Sequence, residues 1–119
     1  MPTFQFQKQQ MAANESRVSD EATVPAGLVE ATMELDMNAA EMKDPSTDAL
    51  GILEFFDEAE QNWRLIASTR LIGNPANSGA NVPFVTVNQS TLNQLIGKLI
   101  RGRIEARSAG NYGATFRWN

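Results

Sequence analysis

Fourteen carboxylates, ten lysines and arginines and one tyrosine, with scattered hydroxyls, are the side chains of this 119-residue chain that could shuttle a proton, attack a carbonyl or hold an ion; cysteine and histidine are absent. That absence removes thiolate nucleophiles, disulfides, imidazole bases and zinc sites built from either residue. Among the carboxylates, Asp36, Glu41, Asp44 and Asp48 lie near enough in sequence to surround a calcium ion. Their spacing lacks the alternate-position ligands and central glycine of a calcium-binding loop, so they are expected to be solvated loop acids with no metal bound. Glycoside hydrolysis needs two carboxyls held about 5 to 10 Å apart in a cleft. Glu54 with Asp57, or Glu58 with Glu60, supplies the acids, but nothing around them builds a cleft. Glycine loops that cradle phosphate and the G-x-S-x-G nucleophile elbow are missing too. The expectation is a protein without enzymatic activity and without a cofactor.

What remains is recognition by charge and by aromatic surface. Residues 1–60 carry thirteen acids against three bases, a net of −10, whereas residues 61–119 carry one acid against seven bases, a net of +6. Within the basic half, Lys98, Arg101, Arg103, Arg107 and Arg117 fall on two stretches that alternate like neighbouring strands. Like charges on one face of a sheet need a counter-charge or a ligand. The acidic ridge Glu30, Glu34 and Asp36 is the expected partner, in the same molecule or in the next copy. Nucleic acid is not expected, because phosphate binding needs a positive field over the whole footprint and the isoelectric point is near 4.7. Trp63 and Tyr112 could stack a sugar ring, although aromatics at period two, including Phe116, are more often core. Trp118, next to last, is expected at the rim and free to dock on a partner.

Strands must hold these residues in place. Over residues 28–37, Val29, Ala31, Met33, Leu35 and Met37 alternate with Glu30, Thr32, Glu34 and Asp36, which predicts a half-buried strand with an acidic outer face. The Pro25-Ala26-Gly27 turn starts it. Phe4 and Phe6 alternate with Gln5 and Gln7, so residues 3–7 read as a short strand or part of an extended arm, and residues 1–20 are assigned as that arm, attached to a domain of residues 21–119. Residues 38–48 read as a long loop. Residues 50–57 and 63–72 read as a hairpin that puts Trp63, Leu65, Ala67, Thr69 and Leu71 on one face; the alternative is a helix from Asp48 with Leu50, Leu53, Phe56 and Ala59 at helical spacing, which Gly51 and the aromatic pair weaken. A turn-rich loop over 73–81 leads to a strand at 83–87. Ser90 or Thr91 is positioned to cap a short helix over 91–96, followed by a strand over 98–107. Gly97 and Gly102 weigh against the alternative, one basic helix from Thr91 to Arg107. A turn at 108–111 then pairs that strand with a last one over 112–118. About seven strands with polar loops predict an all-β fold, an antiparallel β-sandwich or jelly-roll-like barrel with one short helix. A chain of this length can bury one core without covalent staples.

A cysteine-free β-sandwich with abundant Asn and Gln, polar loops, an extended arm and charged sheet edges resembles phage virion proteins of the decoration, coat or head-fibre kind. The resemblance implies a structural role in the virion, assembled in the host cytoplasm as a homo-oligomer in contact with other virion proteins. Charge and exposure give the expected contact residues: Phe4, Phe6, Glu30, Glu34, Asp36, Lys98, Arg101, Arg103, Arg107, Arg117 and Trp118. A carbohydrate-binding β-sandwich using Trp63 or Tyr112 is the alternative. The first ten residues hold no charged leader followed by an apolar run, and no stretch of ~18 apolar residues occurs, so neither a signal peptide nor a membrane span is expected.

Overall fold

The period-two stretches fold as strands, and the chain passes repeatedly between two antiparallel sheets. The computed structural model describes residues 3–77 and 83–119, the first three of these as backbone only. Among the described residues the order is β1 (Thr3–Met11), β2 (Ser16–Val18), β3 (Ala22–Thr23), β4 (Glu30–Met37), α1 (Ala39–Lys43), β5 (Asp48–Asp57), β6 (Asn62–Ile72), β7 (Phe84–Asn88), α2 (Gln89–Gln94), β8 (Leu99–Ala106) and β9 (Gly110–Trp118). The first sheet runs β1-β9-β4-β7 and the second β2-β8-β5-β6, with β3 also on the outer side of β8. This crossing pattern is that of a jelly-roll-like β-sandwich, and the two inner faces make one core.

Alternation decides what enters that core. On β4, Ala31, Met33, Leu35 and Met37 are buried while Glu30, Thr32, Glu34 and Asp36 point outward. Tyr112, Ala114, Phe116 and Trp118 of β9 join them, and Ala49, Leu53, Ile100, Ile104 and Ala106 face them from the second sheet. The sheets approach closely where Phe6 rests on β8: a Cβ on Gly102 would stand 3.3 Å from the Phe6 ring. Leu92 of α2 and Leu95 just after it join the same core. No helix among the described residues is long and apolar enough to cross a membrane.

Several expectations need correction. The described part of residues 1–20 is not a free arm: β1 pairs with β9, β2 pairs with β8, and Phe6 and Met11 are buried. Period-two apolar spacing with glutamines between is as much a sheet strand as an arm, and the bare edge of β9 selects the strand. The loop over 38–48 contains α1, so the described residues hold two short helices where one was expected. Asn88, not Ser90 or Thr91, caps α2, its Oδ1 accepting the Thr91 N–H at 3.0 Å. The helix alternative for Thr91 to Arg107 fails, because β8 is fixed by ladders on both sides.

Two corrections bear on the site. β8 and β9 do not form a hairpin but lie in different sheets. The turn between them is captured by β5: the Arg107 and Ser108 N–H groups donate to the Asp48 carbonyl at 2.9 and 3.1 Å, and Ser108 Oγ accepts the Asp48 N–H at 2.9 Å. The β5–β6 hairpin exists, but a bulge at Ile66 breaks its alternation. An inserted residue sends the side chains beyond it to the opposite face. Ala67, Thr69 and Leu71 therefore share the inner side with Leu53, Gly51 and Ala49, whereas Trp63 and Leu65 share the outer side with Phe56 and Glu54. The bulge, Arg64 and Arg70 also blunt β6, which among the described strands pairs with β5 alone at the sheet edge, against strand-to-strand association.

Candidate functional site on the outer face of the second sheet

The middle strand of the second sheet presents Leu50, Ile52, Glu54 and Phe56 away from the core. Opposite Glu54 stand Arg101 on β8 and Leu65 on β6; opposite Ile52 stand Arg103 and Ser68; opposite Phe56 stands Trp63. An outward carboxylate is ordinarily solvated, yet Glu54 is only 5% exposed. The arginines cover it. Arg101 Nε–H donates to Glu54 Oε1 at 2.9 Å, and Arg103 Nε–H donates to the same oxygen at 3.2 Å. The Arg101 guanidinium also lies 4.0 Å from the centre of the Trp63 ring, and Phe56 meets Trp63 edge-on at 5.4 Å. Arg103 Nη1 donates onward to Glu105, whose other oxygen is 4.0 Å from Arg107.

This arrangement fixes planar cations on an apolar floor. Both Nη groups of Arg101 lack a hydrogen-bond partner among the described residues, so they stay available to a carboxylate or another anion. Around them Leu65 is 63% exposed, and Leu50, Phe56 and Trp63 are half-buried. Surface ion pairs bound the patch. Arg64 donates to Asp57 at 2.6 Å, and Arg70 donates twice to Asp48 at 2.8 and 2.7 Å. The Arg70 hydrogen bonds hold the Asp48 carboxyl below its ordinary pKa. Such exposed pairs contribute little to stability, so their role is to shape the rim. A fixed acceptor, fixed cations and aromatic rings can bind by contact.

The expected contact residues divide between two opposite surfaces. Arg101, Arg103 and Trp63 converge here, with Arg107 at the edge, while half-buried Lys98 makes no ion pair among the described residues. The acid that answers Arg101 and Arg103 is Glu54, not the ridge Glu30, Glu34 and Asp36, which lies on the outer face of the other sheet. There Arg117 pairs with Glu34 at 3.0 Å and Lys8 lies 3.9 Å from Asp36. Tyr112 cannot stack a sugar: it is 0% exposed, its hydroxyl is 2.9 Å from Ser108 Oγ, and burial pushes its phenol above the ordinary pKa. Trp118 is core rather than rim, 2% exposed and edge-on to Phe116 at 5.5 Å. Phe6 is buried beneath the Arg17 guanidinium, and the Phe4 side chain lies outside the described residues. The carboxylates weighed for calcium are dispersed. Glu41 accepts the Asn111 N–H at 2.5 Å, Asp44 accepts from Ser46, Asp48 holds Arg70 and Asp36 faces Lys8.

Sequence reasoning missed Glu54 as the centre of the patch. Its signal was there: one carboxylate inside the apolar run Leu50-Gly51-Ile52-Leu53-Glu54-Phe55-Phe56. A charge so placed must be paired or reach water.

No protein-family model matches the chain, and no curated protein matches its sequence. Solved structures do resemble it. The mitogen derived from Yersinia pseudotuberculosis superposes with a TM-score of 0.57 at 9% identity, covering 97% of this chain and 84% of that one. PirA gives 0.55 at 8% identity, covering 94% and 91%. A protein from Sulfurospirillum deleyianum gives 0.54 at 10% identity, covering 100% and 98%. At such identities the likeness shows a shared β-sandwich fold and nothing about activity.

Proposed function

We propose that the chain is a non-enzymatic structural protein that acts by multivalent protein–protein contact, as a self-assembling virion component of the phage coat, decoration or head-fibre kind. One observation carries the contact reading: the outer face of the second sheet combines exposed Leu65 and half-buried Trp63 and Phe56 with Arg101 and Arg103 over a buried Glu54. Protein interfaces use this chemistry, with tryptophan and arginine anchors at an apolar centre and a polar rim around it. Repeated weak contacts of this sort gain strength by avidity. The virion setting is supported by the chain's general character. Light scattering in solution tests the contact reading. Multi-protomer masses are expected at low salt and smaller ones as salt rises, while Leu65→Glu is expected to be monomeric throughout with an unchanged circular dichroism spectrum. A wild-type monomer at every salt concentration overturns the reading.

A carbohydrate-binding role is the second reading, favoured by Trp63 standing beside the polar groups of Arg101 and Glu54. Arg101 stacks on that indole and Phe56 meets it edge-on, so a sugar would rest on the part of the ring that stays exposed. Hits on a glycan array that vanish in Trp63→Ala, with the wild type monomeric, would select this reading over the first.

A further inference from the structure

Resting on the protein-contact reading above, we propose that the occupant of the Arg101–Trp63–Leu65 face is the outer face of the first sheet of a second copy, so that copies stack head-to-tail. The first sheet's outer face carries the acidic ridge Glu30, Glu34 and Asp36. Glu30 has no ion-pair partner among the described residues, and Asp36 holds Lys8 only loosely at 3.9 Å. Directly opposite Glu34 on the neighbouring strand stands Phe84, 63% exposed. One face thus offers an apolar knob beside carboxylates, and the other an apolar centre beside an arginine whose Nη groups have no hydrogen-bond partner among the described residues.

The spacings agree. Strands lie about 4.8 Å apart and residues on one face repeat about every 6.8 Å. Leu65, Glu54 and Arg101 occupy three adjacent strands, which puts Leu65 and Arg101 about 10 Å apart. Phe84 lies across from Glu34, with Asp36 two residues beyond, about 8 Å away. Phe84 seated on Leu65 and Trp63 therefore brings the ridge within a side chain's reach of Arg101.

Like faces do not suit each other. Among the described residues, a second-sheet face offers another such face no free carboxylate, because Asp48, Asp57, Glu54 and Glu105 are each held by an arginine of their own chain, and on the first-sheet face the cations Arg117 and Lys8 already face Glu34 and Asp36. A contact between unlike faces is heterologous, so it closes into a ring or extends as a filament according to the rotation per step.

Complementation between variants tests this. Leu65→Glu disables the second-sheet face, and E30R/D36R disables the ridge; Phe84→Glu is an independent variant of the ridge side. All alter outward positions, and circular dichroism checks each fold. Each variant alone is expected to be monomeric at concentrations where the wild type assembles. Mixing Leu65→Glu with E30R/D36R is expected to restore species of at least two protomers, because one supplies an intact ridge and the other an intact arginine face. If E30R/D36R and Phe84→Glu assemble like the wild type while Leu65→Glu does not, the second copy's ridge is not the occupant, and only the general contact reading survives. A monomeric wild type overturns both.

Discussion

Glu54→Ala is expected to lower the unfolding free energy by about 2 kcal/mol or more, seen as a fall in the urea midpoint. The substitution removes one carboxylate and leaves two arginines without a counter-charge. Breaking a deeply buried pair in this way costs about 3–5 kcal/mol. Here the Arg101 and Arg103 side chains retain 20% and 26% exposure and can recover part of their hydration, which sets the effect at the low end. Glu54→Gln, which keeps acceptor and shape but loses the charge, is expected to fall between Ala and wild type. Asp57→Ala, which breaks the surface pair with Arg64 and the turn hydrogen bonds from the Ala59 and Glu60 N–H groups, is expected to lower the midpoint less, because all of these groups are solvated. An Ala effect at position 54 no larger than that at position 57 would mean the triad does not organise this face.

Gly73→Ala is expected to be the more damaging, about 3 kcal/mol or more, with the thermal midpoint falling by roughly 10 °C or more. A Cβ at Gly73 would overlap the Asp44 carbonyl oxygen and come within 3.0 Å of the Glu41 carbonyl oxygen. Both are backbone atoms, so no rotamer change relieves the clash. The contact is close because the segment after α1 is laced to the end of β6. The Gly73 N–H donates to the Thr47 carbonyl and the Asn74 N–H to the Met42 carbonyl, each at 2.9 Å. Gly97 is the control, at φ +84° with open space around it. Alanine there meets only the left-handed backbone cost of about 1–2 kcal/mol. If the two variants melt together, packing at Gly73 is looser than its neighbours indicate.

The fold was legible wherever one face of a strand is buried and the other wet. β4 and β8 alternate cleanly because the core covers one side of each, and the β5–β6 hairpin follows from two apolar runs across a polar turn. The candidate site was only half legible. Arg101, Arg103 and Trp63 were identifiable by type, but what joins them depends on which strands are neighbours. The turn at Ser108 looks like a hairpin turn in the sequence, yet the Asp48 backbone captures it and diverts β9 into the other sheet. That diversion separates the arginines of β8 from the ridge on β4. The bulge at Ile66 is equally silent in the sequence, and it alone moves Trp63 and Leu65 outward. Tyr112 and Trp118 misled for a simpler reason: aromatic residues at period two mark a strand's buried side unless something else covers the core.

Hydroxyl-radical footprinting of the native protein over a dilution series bears most directly on the claim that the outer face of the second sheet is a protein contact. Trp63 and Leu65 are expected to be shielded at high concentration and to gain oxidation on dilution or added salt, while Trp118 stays shielded throughout because it belongs to the core. Equal labelling of Trp63 and Leu65 at every concentration, in a protein shown to associate, would place the contact elsewhere and contradict the account.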